Sequence, residues 1–138
     1  MDFRLKACAA AIVVACSATP SLARDVFECS FPDTAANMGY LAQTVVLARE
    51  AGADTVTIVD PFIQAMEGGP IDKKIVEESD AKLSVSWVLN LKSTGNDQVK
   101  VHYRLSIQKG SLKASLAGRP LNYSNIFSAQ GKCKRLKA

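Results

Sequence analysis

Alternation of apolar and polar side chains in the second half of the chain is the feature that most constrains the fold. Odd-numbered positions from 83 to 91 are apolar, their neighbours are mostly polar, and the pattern repeats from 99 to 107. Because successive side chains of a strand point to opposite faces, this pattern predicts two half-buried strands. Residues 93–97 (Ser-Thr-Gly-Asn-Asp) predict the hairpin loop between them. The predicted inward side chains are Leu83, Val85, Trp87, Leu89, Leu91, Val99, Val101, Tyr103, Leu105 and Ile107.

The same reasoning along the rest of the chain predicts eight short strands and no crossover helix. Their predicted bounds are 26–31, 41–49, 55–59, 71–79, 82–91, 98–108, 112–116 and 126–136. The fourth is the weakest pattern, because the spacing of Ile71 and Ile75 also suits a short helix. Closure into a barrel removes the two exposed edges that an open meander leaves. The predicted fold is therefore all-β, a single eight-stranded antiparallel meander closing into a small barrel, with a two-sheet sandwich as the alternative.

Two cysteines support closure. Cys29 lies on the Phe27 face of the first predicted strand, and Cys133 lies on the Phe127 and Ala129 face of the last. In a closed barrel these strands are neighbours, so both thiols point inward and can form a disulfide. The pattern predicts that a Cys29–Cys133 bridge joins the terminal strands.

The N-terminal residues have the features of a secretory signal peptide. Arg4 and Lys6 precede a run of small and apolar residues at 7–15, and Ala23 ends a small-residue cleavage motif. We therefore expect a signal peptide at 1–23, a β-barrel domain at 24–138, and a periplasmic or secreted location. The residues before Cys16 also resemble a lipobox, so a lipid anchor through Cys16 is an alternative.

Charge is divided unevenly along the chain, whose formal net charge is +4. Residues 24–91 hold five Lys or Arg against eleven Asp or Glu, and residues 92–138 hold ten against one. In a meander the last three strands are contiguous, which places five outward residues on one surface, here called the basic wall. It suits an acidic protein, an anionic envelope lipid or a polysaccharide, and a merely solvated exterior is the alternative. The basic wall comprises Lys100, Arg104, Lys113, Lys132 and Lys134.

The residue inventory argues against catalysis. The single histidine, His102, falls on an outward strand position between Lys100 and Arg104, without the shelter and the orienting partner that a general base needs. We expect no zinc site, because too few ligands are present, and no cofactor. Glu77, Glu78 and Asp80 are interpreted as a solvated turn. Nucleic acid is not an expected partner, because the inward parity of Tyr103 removes an aromatic from the basic face.

One predicted loop contains large apolar residues that a simple turn does not require. Residues 60–70 carry Phe62, Ile63 and Met66 within a segment otherwise rich in turn residues. These side chains form either a lid or partner contact at the barrel mouth, or a plug that fills its open end. We count Phe62, Ile63 and Met66, together with Lys100, Arg104 and Lys113, as the predicted interaction surface.

Several motifs resemble those of small, uncharacterised secreted proteins of alpha-proteobacteria. The motifs are Phe-Glu-Cys-Ser-Phe-Pro at 27–32, Gly-Gly-Pro at 68–70, the strand at 83–87 and Gly-Lys-Cys at 131–133. The general plan is also similar to that of small periplasmic barrels that inhibit c-type lysozyme. The Ser-Gly-x-x-Tyr-type inhibitory loop of those proteins is absent from this sequence, so the resemblance implies a fold and a compartment without naming an activity.

Three functions are therefore compared. The first is a non-enzymatic exported binding protein of the bacterial envelope, acting through its loops or the basic wall. The second is a lipocalin-like carrier of a small apolar ligand, which needs a hollow barrel. The third is an inhibitor of a secreted hydrolase. The crowded inward faces favour a filled barrel, and with it the first function.

Overall fold

The computed structural model describes residues 24–32, 40–92 and 98–136. The predicted signal peptide at 1–23, including Cys16, lies outside the described residues, as does the predicted hairpin loop at 93–97. Eight strands and one short helix are present in the described part. The strands are β1 (Arg24–Ser30), β2 (Thr44–Glu50), β3 (Thr55–Val59), β4 (Ile71–Glu78), β5 (Lys82–Lys92), β6 (Gln98–Gln108), β7 (Lys113–Pro120) and β8 (Phe127–Leu136).

The strands form a closed antiparallel barrel in sequence order. Each strand pairs with the next, and β8 returns to pair with β1. The longest ladder joins β5 to β6, with Trp87 opposite Tyr103 at its centre. The predicted eight-stranded meander and its closure are confirmed, and the sandwich alternative is wrong, because the terminal strands are hydrogen-bonded neighbours.

The seam between the terminal strands carries the predicted disulfide. Cys29 and Cys133 lie directly opposite each other in the β1–β8 ladder, and their sulfurs are bonded. Both side chains are buried in the core, as the strand parity predicts. The bridge closes the chain across 104 residues, so it restricts the unfolded state strongly.

Glycine at position 131 permits the close approach of β1 to β8. A Cβ atom at Gly131 would overlap the carbonyl oxygen of Ser30 and lie 2.7 Å from Cδ1 of Phe31. The carbonyl is backbone and cannot move aside without disturbing the ladder. A residue without a side chain is therefore required beside the disulfide.

Large side chains fill the barrel interior. Trp87 and Tyr103 stack with ring centroids 5.6 Å apart, and the Tyr103 hydroxyl donates to the carbonyl oxygen of Tyr40 at 2.7 Å. Both rings are almost completely buried, together with residues from every strand except β4. Other fully buried side chains include Phe31, Val45, Leu47, Val56, Ile58, Ile63, Leu89, Leu105, Ile107 and Leu116.

A short helix, α1 (Pro61–Glu67), replaces the loop predicted at 60–70. Asp60 caps it, because one carboxylate oxygen accepts a hydrogen bond from the Ile63 amide at 2.7 Å, and Gly68 ends it at a φ of 78°. Burial raises the pKa of Asp60. The Asp-Pro and Gly-Gly pairs that resembled turns are the start and stop signals of this helix.

The fourth predicted strand is confirmed as β4, and it contains a bulge after Ile75. The β4–β5 register shifts between Ile75 and Glu77, so one extra residue is inserted in β4. A bulge of this kind changes which face later side chains occupy. The alternative of a short helix at this position is wrong.

Candidate functional site

The five residues of the basic wall are all exposed on the outside of β6, β7 and β8, but they differ in their charge environment. Arg104 Nη2 lies 3.2 Å from Glu77 Oε2, so Arg104 is already paired. Lys134 lies 3.9 Å from Glu28 Oε2. The predicted outward placement of all five is confirmed, but acids on β4 and β1 neutralise part of the basic wall.

The acidic pair at the end of β4 is part of an ion cluster at one barrel end. Arg49 donates to both oxygens of Glu78, with Nη2 2.7 Å from Oε1, and Lys109 Nζ is 3.0 Å from Oε2. These hydrogen bonds, from Arg49 first and Lys109 second, lower the pKa of Glu78 to about 2. Glu77, Glu78 and Asp80 are exposed beside the turn, as predicted, but Glu77 and Glu78 belong to β4 and also pair with cations on other strands.

This cluster covers the barrel mouth opposite α1. A cavity of about 130 Å³ there has Phe27, Leu83 and Ile107 among its walls, and the Arg135 guanidinium lies 5.4 Å from the Phe27 ring centroid. Charged side chains that lie over apolar residues lose part of their contact with water, which costs free energy unless they are paired. Here oppositely charged neighbours supply those partners, which indicates a structural role.

Lys113 and Lys132 are in a different situation. They lie directly opposite each other in the β7–β8 ladder, on the outer face. Neither makes an ion pair with any residue in the part of the chain that the structure describes. An open depression of about 500 Å³ lies against both, and its other walls are Ser30, Pro32, Gln130 and Gly131.

A second depression of about 220 Å³ continues the first across the barrel. Both depressions are lined by Lys113 and Gln130, and the second extends past Ser115 and Ser106 to Lys82 on β5. The strand register explains why these side chains are aligned across the sheet, because Ser106 is opposite Ser115, and Ser115 is opposite Gln130. The combined feature is named the serine–lysine groove. Its defining residues are Ser30, Lys82, Ser106, Lys113, Ser115, Gln130 and Lys132.

The groove offers positive charge and hydrogen bonds. Lys82 is 3.7 Å from Glu77 Oε1, which leaves Lys113 and Lys132 as its uncompensated cations. Serine hydroxyls donate and accept, and the Gln130 amide does both. Such a lining can hold carboxylate, sulfate or phosphate groups together with neighbouring hydroxyls.

The predicted apolar contact residues are not all available at the surface. Ile63 is the fully buried residue of α1, and Phe62 is half-buried against the core. Only Met66, with 37% of its surface exposed, faces solvent substantially. Inclusion of Ile63 in an interaction surface is wrong, because its side chain fills the barrel end.

Sequence reasoning identified Lys113 and Lys132 but missed the polar members of the groove. The outward parity of Ser106, Ser115 and Gln130 is visible in the sequence. Their alignment depends on the stagger of three ladders, and no local pattern encodes that stagger.

Features outside the groove provide little chemistry. His102 is exposed on β6, between Val88 of β5 and Arg119 of β7. Within residues 24–32, 40–92 and 98–136, no three His, Cys, Asp or Glu side chains are grouped so as to hold a metal ion. In those same ranges, no helix has the length and apolar character that crossing a membrane requires.

Comparisons with protein-family models, curated proteins and solved structures found no significant match to this chain. The resemblance to small secreted alpha-proteobacterial proteins therefore stays a prediction. Functional inference has to come from the groove and the surfaces around it.

Proposed function

We propose that this chain is an exported, non-enzymatic binding protein that holds an anionic polysaccharide in the serine–lysine groove. The observation that carries the proposal is the pair Lys113 and Lys132, placed opposite each other without a described acidic partner. Like charges directly opposite in a sheet are destabilising. A bound anion between the two ammonium groups offsets that repulsion.

The lining of the groove favours a polysaccharide over an acidic protein. Protein interfaces usually centre on large apolar or aromatic anchors, whereas no aromatic residue lines the groove within the part of the chain that the structure describes, and its polar side chains come from serine, glutamine and lysine. Hydroxyls and amides in a row suit a polymer that carries hydroxyls between its anionic groups. The groove crosses from β5 to β1, about 19 Å at a strand spacing of about 4.8 Å, so it suits an extended chain.

Export is supported by the leader-like sequence at 1–23 and by a disulfide of the kind that persists in oxidising compartments. The lipocalin-like carrier has less support, because stacked Trp87 and Tyr103 occupy the interior that a ligand would need. No particular contact favours the inhibitor of a hydrolase.

The test measures binding to polygalacturonate, with neutral dextran as the reference polymer. Wild type is compared with the double variant Lys113→Gln/Lys132→Gln. The matched control is Lys73→Gln/Lys74→Gln, which removes the same charge from exposed positions on β4. Binding is measured by titration calorimetry at several salt concentrations.

We expect wild type to bind polygalacturonate and not dextran. The groove variant should lose affinity by about tenfold or more, with a salt dependence shallower by about two ions released. The β4 control should retain its affinity within about a factor of two to three. Equal losses in the two variants, or no binding by wild type, would contradict the proposal.

A further inference from the structure

A second surface lies at the other end of β7, in the loop 121–126 that leads into β8. Three of its six residues have large apolar side chains directed to solvent. The exposed fractions are 40% for Leu121, 62% for Tyr123 and 63% for Ile126. Exposed apolar side chains grouped on one short loop indicate a contact site.

The backbone of this loop is held in place by the barrel. The Leu121 amide donates to the carbonyl oxygen of Lys100 at 2.8 Å, and the Tyr123 amide donates to that of Pro120 at 3.3 Å. Asn122 adopts a left-handed conformation with φ of 74°, which turns the chain between them. The apolar side chains are thus presented outward from a fixed turn.

Aromatic residues form the base of the loop. The rings of Tyr40 and Phe127 stack with centroids 4.8 Å apart. A shallow depression of about 240 Å³ lies beside them, bounded also by Val99, Pro120 and Tyr123. The base is therefore apolar as well, and the exposed loop residues continue an apolar surface from the core outward.

Basic residues border the apolar loop. Arg119 directly precedes Pro120 and is exposed opposite His102, and the exposed Lys100 lies where the loop begins. Residues 98–136 contain no Asp or Glu. Within residues 98–136, the loop and the strands that flank it therefore combine exposed apolar side chains with positive charge.

We propose that the loop 121–126 docks this protein on the surface of an anionic lipid bilayer. Leu121 and Ile126 enter the interfacial region, and Tyr123 lies at headgroup depth, where its ring and hydroxyl meet both environments. Lys100 and Arg119 contact the anionic headgroups. The charge complementarity of this border favours a bilayer, and the outward projection of the side chains suits insertion rather than enclosure of a partner.

This docking leaves the serine–lysine groove accessible. Lys113 and Arg119 are six residues apart on β7, about 20 Å at about 3.3 Å per residue. The two surfaces therefore lie near opposite ends of the same strand. The inference is independent of the proposed function, and its variants change no groove residue.

The test is sedimentation with vesicles of phosphatidylcholine alone, or of phosphatidylcholine and phosphatidylglycerol mixed. The apolar variant is Tyr123→Ser/Ile126→Ser, and the charge variant is Lys100→Gln/Arg119→Gln. The matched apolar control is Val76→Ser/Leu136→Ser, which removes exposed apolar side chains elsewhere. Thermal unfolding of each variant checks that the fold is retained.

We expect wild type to sediment with the mixed vesicles and much less with phosphatidylcholine alone. The apolar variant should lose partitioning by about tenfold, and the charge variant should lose its preference for the anionic vesicles. The control should partition like wild type. Absence of wild-type binding, or an equal loss in the control, overturns the inference. Loop-dependent self-association without vesicle binding would instead assign the surface to a second copy of the chain.

Discussion

Two charged regions of this barrel differ in how their charges are balanced. At the barrel mouth, Glu78 is held by Arg49 and Lys109, so the charges face opposite signs. On the outer face, Lys113 faces Lys132 in register. The first arrangement contributes to the fold, and the second costs stability unless a ligand offsets it. Positive charge in the sequence therefore does not by itself identify a contact surface.

The pairing pattern also separates residues that seem equivalent by strand parity. Arg104 and Lys113 both point outward from neighbouring strands, yet only Arg104 reaches an acid on β4. Arg104 reaches Glu77 across β5, where the intervening side chains are serines such as Ser84 and Ser86. The predictions below test this difference between compensated and uncompensated charge.

The largest expected effect comes from removing the disulfide, which joins the terminal strands of the barrel that carries both regions. The variant Cys29→Ser/Cys133→Ser should lose about 4 kcal/mol of unfolding free energy, because the bridge closes a long loop. Urea denaturation of the variant and of oxidised wild type measures the difference. Reduced wild type is the control and should unfold like the variant. An unchanged midpoint would show that strand pairing alone closes the barrel.

A smaller effect is expected when the compensated cluster is broken. Glu78→Gln should lose about 1 kcal/mol at neutral pH, a value limited by solvent screening. The pKa of Glu78 lies near 2 in the folded chain, below its ordinary 4.5, so its contribution is present above pH 4.5 and disappears as the pH falls towards 2.

The corresponding measurement is unfolding free energy from pH 7 to pH 2. The difference between wild type and Glu78→Gln should shrink over the acidic part of that range. Glu67→Gln, which removes an exposed carboxylate from α1, is the matched control. A difference that stays constant with pH would mean that the ion pair contributes nothing to stability.

The smallest effect has the opposite sign. Lys132→Glu should raise the unfolding free energy by about 0.5 kcal/mol, because it converts a like-charge pair with Lys113 into an attractive one. The same change should abolish polygalacturonate binding. Chemical denaturation and calorimetry on one preparation measure both quantities, with Lys132→Gln as the intermediate case. Loss of stability in Lys132→Glu would contradict the proposed strain in the groove.

Much of the fold was predictable because local patterns encode it. Alternation at 82–108 placed Trp87 and Tyr103 inside, and parity placed Cys29 and Cys133 on the inner face. The helix α1 was missed because seven residues are too few for a helical period. Its Asp60 cap and Gly68 stop also occur in ordinary turns.

The candidate site was only partly predictable. Lys113 and Lys132 were recognised as outward and basic, but their mutual opposition depends on the β7–β8 register. The burial of Ile63 depends on how α1 packs against β5. The hydrophobic pattern determines which face of the sheet a side chain occupies. It does not determine the partner on the next strand, because that partner depends on the stagger between the strands.

By itself the sequence determined the strand count, the inner and outer faces, and the pairing of the cysteines, because a side-chain period of two places one inward cysteine on each terminal strand and leaves few choices. Only the tertiary structure decided which charges are compensated. Arg104 and Lys113 carry the same charge on the same outer surface, and the register of neighbouring strands brings an acid to one of them and a second lysine to the other. Charge compensation is a property of three-dimensional distance, since Coulomb energy depends on separation in space and not along the chain.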